Sequence, residues 1–268
     1  MQFHAAGKVS LDHIYTQPDP RAYFTTLRTL EYQIPQLAKA HFGRLVQELR
    51  ETRRVRRATV LDVGCSYGIN AALLRCDATM NDLYDRYCGY DASVERSTLL
   101  ARDRQWTRAH THPDRLRILG LDVSSEALAY AVASGLLDDA VNADLENGEV
   151  TEHQRGVLES VDVVISTGCL GYVSERTIAR VAAVPARRPW MAHTILRMYR
   201  FEPVAECLAG LGYDTVRVDG PLRQRRFASA EEQANVLDTL SDLGVDPGGL
   251  ETDGWLYAEL FVSRPRGQ

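Results

Sequence analysis

Apolar positions along this chain switch between helical and strand spacing, and the switches set the order of its elements. From Ala22 to about Leu49 the spacing is helical. Tyr23, Phe24, Leu27, Leu30 and Ile34 share one face, and Leu37, Phe42, Leu45, Val46 and Leu49 continue it beyond Pro35. Proline has no amide hydrogen to donate, so the stretch reads as two helices. Short β-branched or apolar runs then predict strands at Thr59–Val63, Leu116–Leu121, Ala140–Asn142, Val161–Ser166, Trp190–Leu196, Thr215–Val218 and Trp255–Val262. Between most of them lie helix-period segments: Ile69–Leu74, Ser125–Ala133, Glu175–Ala183, Val204–Leu211 and Ala230–Leu243. Strands that alternate with helices need crossover connections, which make a mainly parallel sheet. The last strand alternates hydrophobic and polar residues at its centre, as an antiparallel strand near an edge does. The expected fold class is therefore α/β: a doubly wound, mainly parallel, seven-stranded Rossmann-like sheet.

Two stretches fall outside that scheme. Residues 1–20 read as poorly specified and are punctuated by QPDP at 17–20. Residues 75–113 carry two helical patterns of their own, at 79–87 and from Asp91 to Ala109, between the first sheet helix and the second strand. This helical insertion is either a lid or a scaffold. The domain scheme that follows is an N-terminal helical cap over 1–57 and a ligand-binding Rossmann-like domain over 58–268.

Composition narrows the partners. A 268-residue chain with 45% hydrophobic and 25% charged residues is ordinary for a soluble globular protein, and a net charge of −5 gives no reason to expect nucleic acid or an anionic membrane. One basic run, RETRRVRR at 50–57, reads as a phosphate patch or as a solvated helix end. No aromatic residues interleave with its charges, which favours the helix end. The five cysteines are scattered, and His110 and His112 have no carboxylates at useful spacing, so neither a disulfide framework nor a metal site is expected. With no leader pattern and no apolar run near ~18 residues, a cytoplasmic location is expected.

The most informative local pattern is TVLDVGCSYGINAALL at 59–74. A strand runs into a glycine turn and opens a helix, so a ligand can approach the backbone closely. The pattern is D-x-G-x-S-x-G. A dinucleotide pyrophosphate prefers glycine at the middle position, which here is Ser66, and no G-K-[ST] ending supplies a phosphate-gripping lysine. A ligand without phosphates fits better. S-adenosylmethionine is one, and Asp62 is placed to hold its ammonium directly or through water. Asp122 ends the second strand, where a carboxylate can accept both ribose hydroxyls, with Val123 against the adenine. Asp144 follows the third strand, where it can accept from the adenine amino group, with the Leu145 amide near the ring. Cys65 in the turn and Ser166 at the end of the fourth strand complete the expected cofactor contacts.

With these residues in view, the chain from about residue 58 resembles the class I S-adenosylmethionine-dependent methyltransferases. Asp62, Gly64, Gly68, Asp122 and Asp144 match that family's motifs. Two departures stand out. Ser66 replaces a glycine, and Asp122 lies 60 residues beyond Asp62, where about 20 is usual. Asp91 lies nearer that spacing. DRYCGYD is a poor strand, however, and LRILGLD a good one, so Asp122 is taken as the ribose acid and Asp91 as the N-cap of an inserted helix.

The chemistry is expected beyond the end of the fourth strand, in STGCLGYV at 166–173. The N/D-P-P-Y/F signature of enzymes that methylate nucleic-acid amino groups or glutamine amides is absent there. Tyr172 can turn its ring or hydroxyl to the sulfonium, or simply pack the next helix. His193, in the fifth strand, is the first candidate for a general base, with a satisfied core histidine as the alternative. Asn142 is a third candidate for the pocket. Tyr15, Tyr23, Phe24 and Tyr32 can close it from above, or belong to the core.

Three functions follow. The first is methylation of a small molecule, in the setting of secondary metabolism. The second is intramolecular cyclisation of S-adenosylmethionine to azetidine-2-carboxylate with release of methylthioadenosine. The segments YFTTLRTLEYQIPQ, GCSYGINAALL and STGCLGYV are similar to those of azetidine-2-carboxylate synthases, which share the methyltransferase fold. The third is a non-catalytic cofactor-binding module.

Overall fold

The computed structural model describes residues 7–89, 93–111 and 116–267. Asp91 and His112 lie outside the described residues. Six consecutive buried residues form β1, Ala58–Val63, at the centre of the sheet. It pairs in parallel with β2 (Leu116–Asp122) on one side and β4 (Val163–Leu170) on the other. Further parallel pairs join β2 to β3 (Asp139–Asn142) and β4 to β5 (Trp190–Leu196). The long β8, Trp255–Pro265, runs antiparallel to β5, and β6 (Tyr213–Arg217) closes the far edge. The order is β3-β2-β1-β4-β5-β8-β6, a doubly wound α/β sheet of the expected seven strands.

An eighth strand is new. β7, Leu222–Arg226, pairs with the first half of β8, off the main path. Its sequence LRQRR has no apolar alternation, so a hydrophobic reading passes over it. For the same reason the short α7, Glu152–Leu158, escaped notice: Leu158 is its one buried residue.

Strand parity sorts the side chains into two layers. Ala58 and Val60 of β1, Val163 and Ile165 of β4, and Trp190 and Ala192 of β5 face one cluster. Packed there are α1 (Arg21–Thr29), α2 (Ile34–Arg53), α3 (Ile69–Arg75), α6 (Ser125–Ala133) and α10 (Ala230–Asp242). Leu61, Val63, Val164, Met191 and Ile195 face the other, under α7, α8 (Glu175–Ala182) and α9 (Glu202–Gly210). Pro35 falls in the first turn of α2, where its missing amide hydrogen is no loss. The basic run ends α2, with Arg50 and Arg53 in its last turn and Arg54 in the left-handed conformation as the cap.

The inserted stretch forms α4 (Met80–Tyr87) and α5 (Arg96–His110). Buried Asp103 of α5 accepts from Tyr87, Tyr130 and Arg86, which ties α4, α5 and α6 together. Phe24 of α1 stacks on Tyr87 with centroids 4.6 Å apart. The described helices of the insertion thus pack against α1 and α6. The N-terminal stretch read as poorly specified is fixed from Gly7 onward by side chains remote in sequence. Tyr67 donates to the Gln17 carbonyl (2.8 Å), Ser124 to that of Tyr15 (2.6 Å), and the Val9 amide to Glu232 (2.8 Å).

Candidate active site

A cavity of about 690 Å³ opens at the C-terminal ends of β1, β2, β3 and β4 and is roofed by residues 8–16, α1 and β7. It sits where the strand order reverses, with β1 between β2 and β4, and the crossovers there leave a crevice that an α/β sheet offers to ligands. Gly64 and Ser66 form its floor. Gly64 has φ +69°, and a Cβ there would stand 2.6 Å from the Cys169 Cβ, so no side chain fits. Ser66 holds a left-handed φ of +48°, a conformation that favours glycine. Its hydroxyl is buried without a protein partner. Gly68 starts α3 at φ +80° and packs toward Leu136, behind the wall.

Asp122 sits at the end of β2 with both carboxylate oxygens already accepting backbone amides, from Ser66 (2.8 Å) and Ser124 (2.9 Å). Burial raises its pKa, and these amides oppose the rise. A carboxylate has about four lone-pair sites, so two remain for a pair of hydroxyls. Val123 beside it is 68% exposed, a large apolar side chain left uncovered at the cavity wall. Asp144 lines the wall too, and its oxygens cap their own turn by accepting from the Glu146 and Asn147 amides and the Asn147 side chain. The Asn147 side-chain bond leads the contacts that hold its pKa low. Leu145 is buried against the same wall.

Asp62 does not reach the cavity wall. It is fully buried on the α3 side of β1, and Asn70 of α3 stands at the wall in its place. The Asn70 amide donates to Asp62 Oδ1 (3.0 Å) and to Thr167 Oγ1 (3.1 Å). Both its hydrogens are so engaged, which leaves its carbonyl oxygen as the group available to a ligand. The other Asp62 oxygen is buried without a partner, and burial pushes the carboxyl up to about 7.

Two catalytic candidates belong elsewhere. His193 shares the parity of Met191 and Ile195, so it points away from the cavity into the α8–α9 layer. There its Nδ1 pairs with Ser166 Oγ at 2.8 Å, and burial lowers its pKa to about 4. Ser166 is therefore a core partner of that histidine and does not line the cavity. Asn142 is exposed, and its side-chain amide donates to the Asp122 and Val123 carbonyls (3.1 and 3.0 Å), which pins the loop that carries Asp122. Tyr172, the third candidate, lines the cavity with its ring edge-on to Tyr199. Tyr15, Tyr23 and Tyr32 line it as well, whereas Phe24 packs behind.

Sequence reasoning missed Lys8, Asp12, Asn70, Gln224 and Arg225 at the wall. Asn70 alone left a trace, as a polar residue amid the apolar start of α3. Among the described residues no group of three or more His, Cys, Asp or Glu side chains could hold a metal ion, and no helix is long and apolar enough to cross a membrane.

Strands β1 to β5 in parallel, followed by an antiparallel β8 inserted between β5 and β6, decide the architecture. The fold is that of the class I methyltransferases. Among solved structures, the chain is similar to a TehB-like S-adenosylmethionine-dependent methyltransferase of Corynebacterium glutamicum (14% identity over 82% of this chain and 87% of that one, TM-score 0.40). It is also similar to magnesium protoporphyrin IX methyltransferase of Synechocystis (12%, 84% and 79%, 0.41) and to YcgJ of Bacillus subtilis (11%, 85% and 100%, 0.45). Similarity at this level says nothing of substrate or reaction. No protein-family model and no curated protein matches the chain.

Proposed function

We propose that the chain binds S-adenosylmethionine in this cavity and transfers its methyl group to a small molecule. The observation that carries this reading is the convergence of four strand ends on one cavity: the Gly64–Ser66 turn, Asp122 with Val123, Asp144 with Leu145, and Thr167 to Cys169. The residues fit such a ligand on independent grounds. The floor admits no Cβ at Gly64, and the buried hydroxyl of Ser66, a residue of the cavity lining, has no protein partner. Asp122 would accept the ribose hydroxyls through its two free lone-pair sites, and Val123 and Leu145 would flank the adenine. The Asn70 carbonyl would accept from the ammonium, with Asp62 orienting Asn70 from behind.

The sulfonium, when bound, supplies an activated carbon that a nucleophile displaces from sulfur. The protein's part is alignment and exclusion of water. The tyrosine-rich roof, tied down through Tyr67, Ser124 and Glu232, serves that role.

A second reading rests on the same roof. No histidine lines the cavity among the described residues, and its tyrosine-rich walls suit a ligand that carries its own nucleophile. In that case the ligand's amine, having lost a proton, attacks its own Cγ. The C–N bond forms as the Cγ–S bond breaks, and methylthioadenosine leaves with azetidine-2-carboxylate. Mass spectrometry of the protein incubated with S-adenosylmethionine, alone and then with small-molecule acceptors, separates the readings. S-adenosylhomocysteine formed only with an acceptor supports methyl transfer. Methylthioadenosine with azetidine-2-carboxylate, formed without an acceptor and lost in Asp122→Ala, supports cyclisation. Intact S-adenosylmethionine throughout, despite binding, would contradict both and leave a cofactor-binding module.

A further inference from the structure

Two cationic side chains line the cavity, Lys8 and Arg225, and their circumstances differ. Arg225 is 1% exposed and paired with a carboxylate. Its Nη1 donates to Glu232 Oε2 (2.9 Å) and to the Arg226 carbonyl (2.8 Å), and its Nη2 to Glu232 Oε1 (2.7 Å). Lys8 is 8% exposed, and its ammonium lies 4.9 Å from the centre of the Tyr172 ring. Among the described residues no carboxylate or other acceptor comes within hydrogen-bonding distance of it. Burial, then the neighbouring Arg225 charge, brings its pKa down to about 7.

The position of Lys8 is built. On one side the Val9 amide donates to Glu232, the carboxylate that also holds Arg225. On the other, Gly7 has φ +83°, and a Cβ there would come within 2.6 Å of the Asn235 Cβ on α10. The backbone is pinned at both neighbours of a lysine whose head group reaches the cavity. Glu232 and Asp12 act on it only from beyond hydrogen-bonding distance, and a buried ammonium with no acceptor in contact is unfavourable, which a tyrosine face compensates only in part. A sulfonium ligand would add a second positive charge. An anion on the ligand resolves both.

We infer that Lys8 is the anchor for a carboxylate carried by the ligand of this cavity, either the amino-acid carboxylate of S-adenosylmethionine or that of the molecule it alkylates. The inference rests on the cofactor reading above. It adds a substrate chemistry: an anionic end, seated where the N-terminal segment meets β7.

The test compares wild type with Lys8→Met and Lys8→Arg, by calorimetry with S-adenosylhomocysteine and methylthioadenosine. Both ligands carry the same nucleoside, and the second lacks the amino-acid end. If the cofactor is the source, Lys8→Met weakens S-adenosylhomocysteine about tenfold or more, a change of about 1.4 kcal/mol. Lys8→Arg restores most of the loss, and methylthioadenosine binds all three proteins alike, which also shows that they are folded. If the reaction partner is the source, S-adenosylhomocysteine is unaffected. Benzoate, followed by saturation-transfer NMR with benzamide as control, then binds the wild type and not Lys8→Met. Equal binding of S-adenosylhomocysteine and of benzoate to wild type and Lys8→Met overturns the inference. Failure of both nucleosides to bind the wild type overturns the cofactor reading instead, and the benzoate arm then decides the role of Lys8 by itself.

Discussion

The floor and the roof of the cavity are built in opposite ways. On the floor, Asp144 is held by groups two and three residues away, and Asp122 by its own loop and the adjacent turn. Asp144 is thus fixed within its own turn, and Asp122 by backbone amides of its own loop and of the turn at the end of the neighbouring strand, 56 residues earlier. On the roof, the link from Val9 to Glu232 spans 223 residues, and that from Tyr15 to Ser124 spans 109. The floor joins the ends of neighbouring strands, whereas the roof joins segments from opposite ends of the chain. A reaction that needs water excluded therefore depends on the least local part of the molecule.

The sharpest way to break this contrast is at Glu232. Glu232→Ala leaves Arg225 buried without its carboxylate, an error that costs about 3–5 kcal/mol, and denaturant unfolding should register a loss of that size. In the wild type the Arg225 contacts hold the Glu232 pKa below its usual value of 4.5. That contribution is complete above the unfolded pKa and fades as pH falls through the lower folded one. If Glu232→Ala were as stable as wild type, the roof would not hang on this pair.

The layer behind the floor gives the next effect. His193 is neutral in its buried site, with its pKa lowered from 6.5 to about 4. As pH falls through that window the unfolded chain takes up a proton and the folded one does not, so about 3 kcal/mol of stability is lost. Asp62, raised from 3.8 to about 7, acts in the opposite sense over an overlapping range. The difference between wild type and His193→Asn isolates the histidine. Stability curves for the two that run parallel between pH 6.5 and 4 would contradict its burial as a neutral group. Asp122→Ala follows, with binding of S-adenosylhomocysteine weakened by about 2–3 kcal/mol in calorimetry and the melting temperature of the unliganded protein changed less. The smallest effect belongs to Ser66→Gly. Relief of the left-handed φ of 48° and of a buried unpartnered hydroxyl, set against the added freedom of the unfolded chain, should stabilise by about 0.5–1 kcal/mol. A thermal melt that moves downward would mean that the Ser66 hydroxyl is already satisfied.

This contrast also explains what could be read from the chain alone. Asp122, Asp144 and the Gly64 turn were legible because each sits at the end of a run whose spacing declares a strand. His193 was misplaced for want of one step. Counting by twos from Met191 puts it on the face away from the cavity, which an apolar run buried on both faces does not reveal. The insertion of 39 residues, counted from 75 through 113, moved Asp122 far from the usual spacing, yet strand quality still placed it at the end of β2 on the cavity wall. Lys8, Gln224 and Arg225 left no local sign. Glu232 holds Arg225 and the Val9 amide next to Lys8, and no pattern along the chain joins position 9 or 225 to position 232. The polar strand β7 was lost for the same reason, since its buried residues are a glutamine and an arginine, and the arginine is made acceptable by Glu232 on α10.

The most direct test of the central claim is a crystal structure with S-adenosylhomocysteine. The ligand is expected in the cavity at the strand ends, with its ribose hydroxyls on Asp122, its adenine between Val123 and Leu145, and its ammonium on Asn70. A ligand bound elsewhere, or a cavity that stays without it at saturating concentration, would contradict the account.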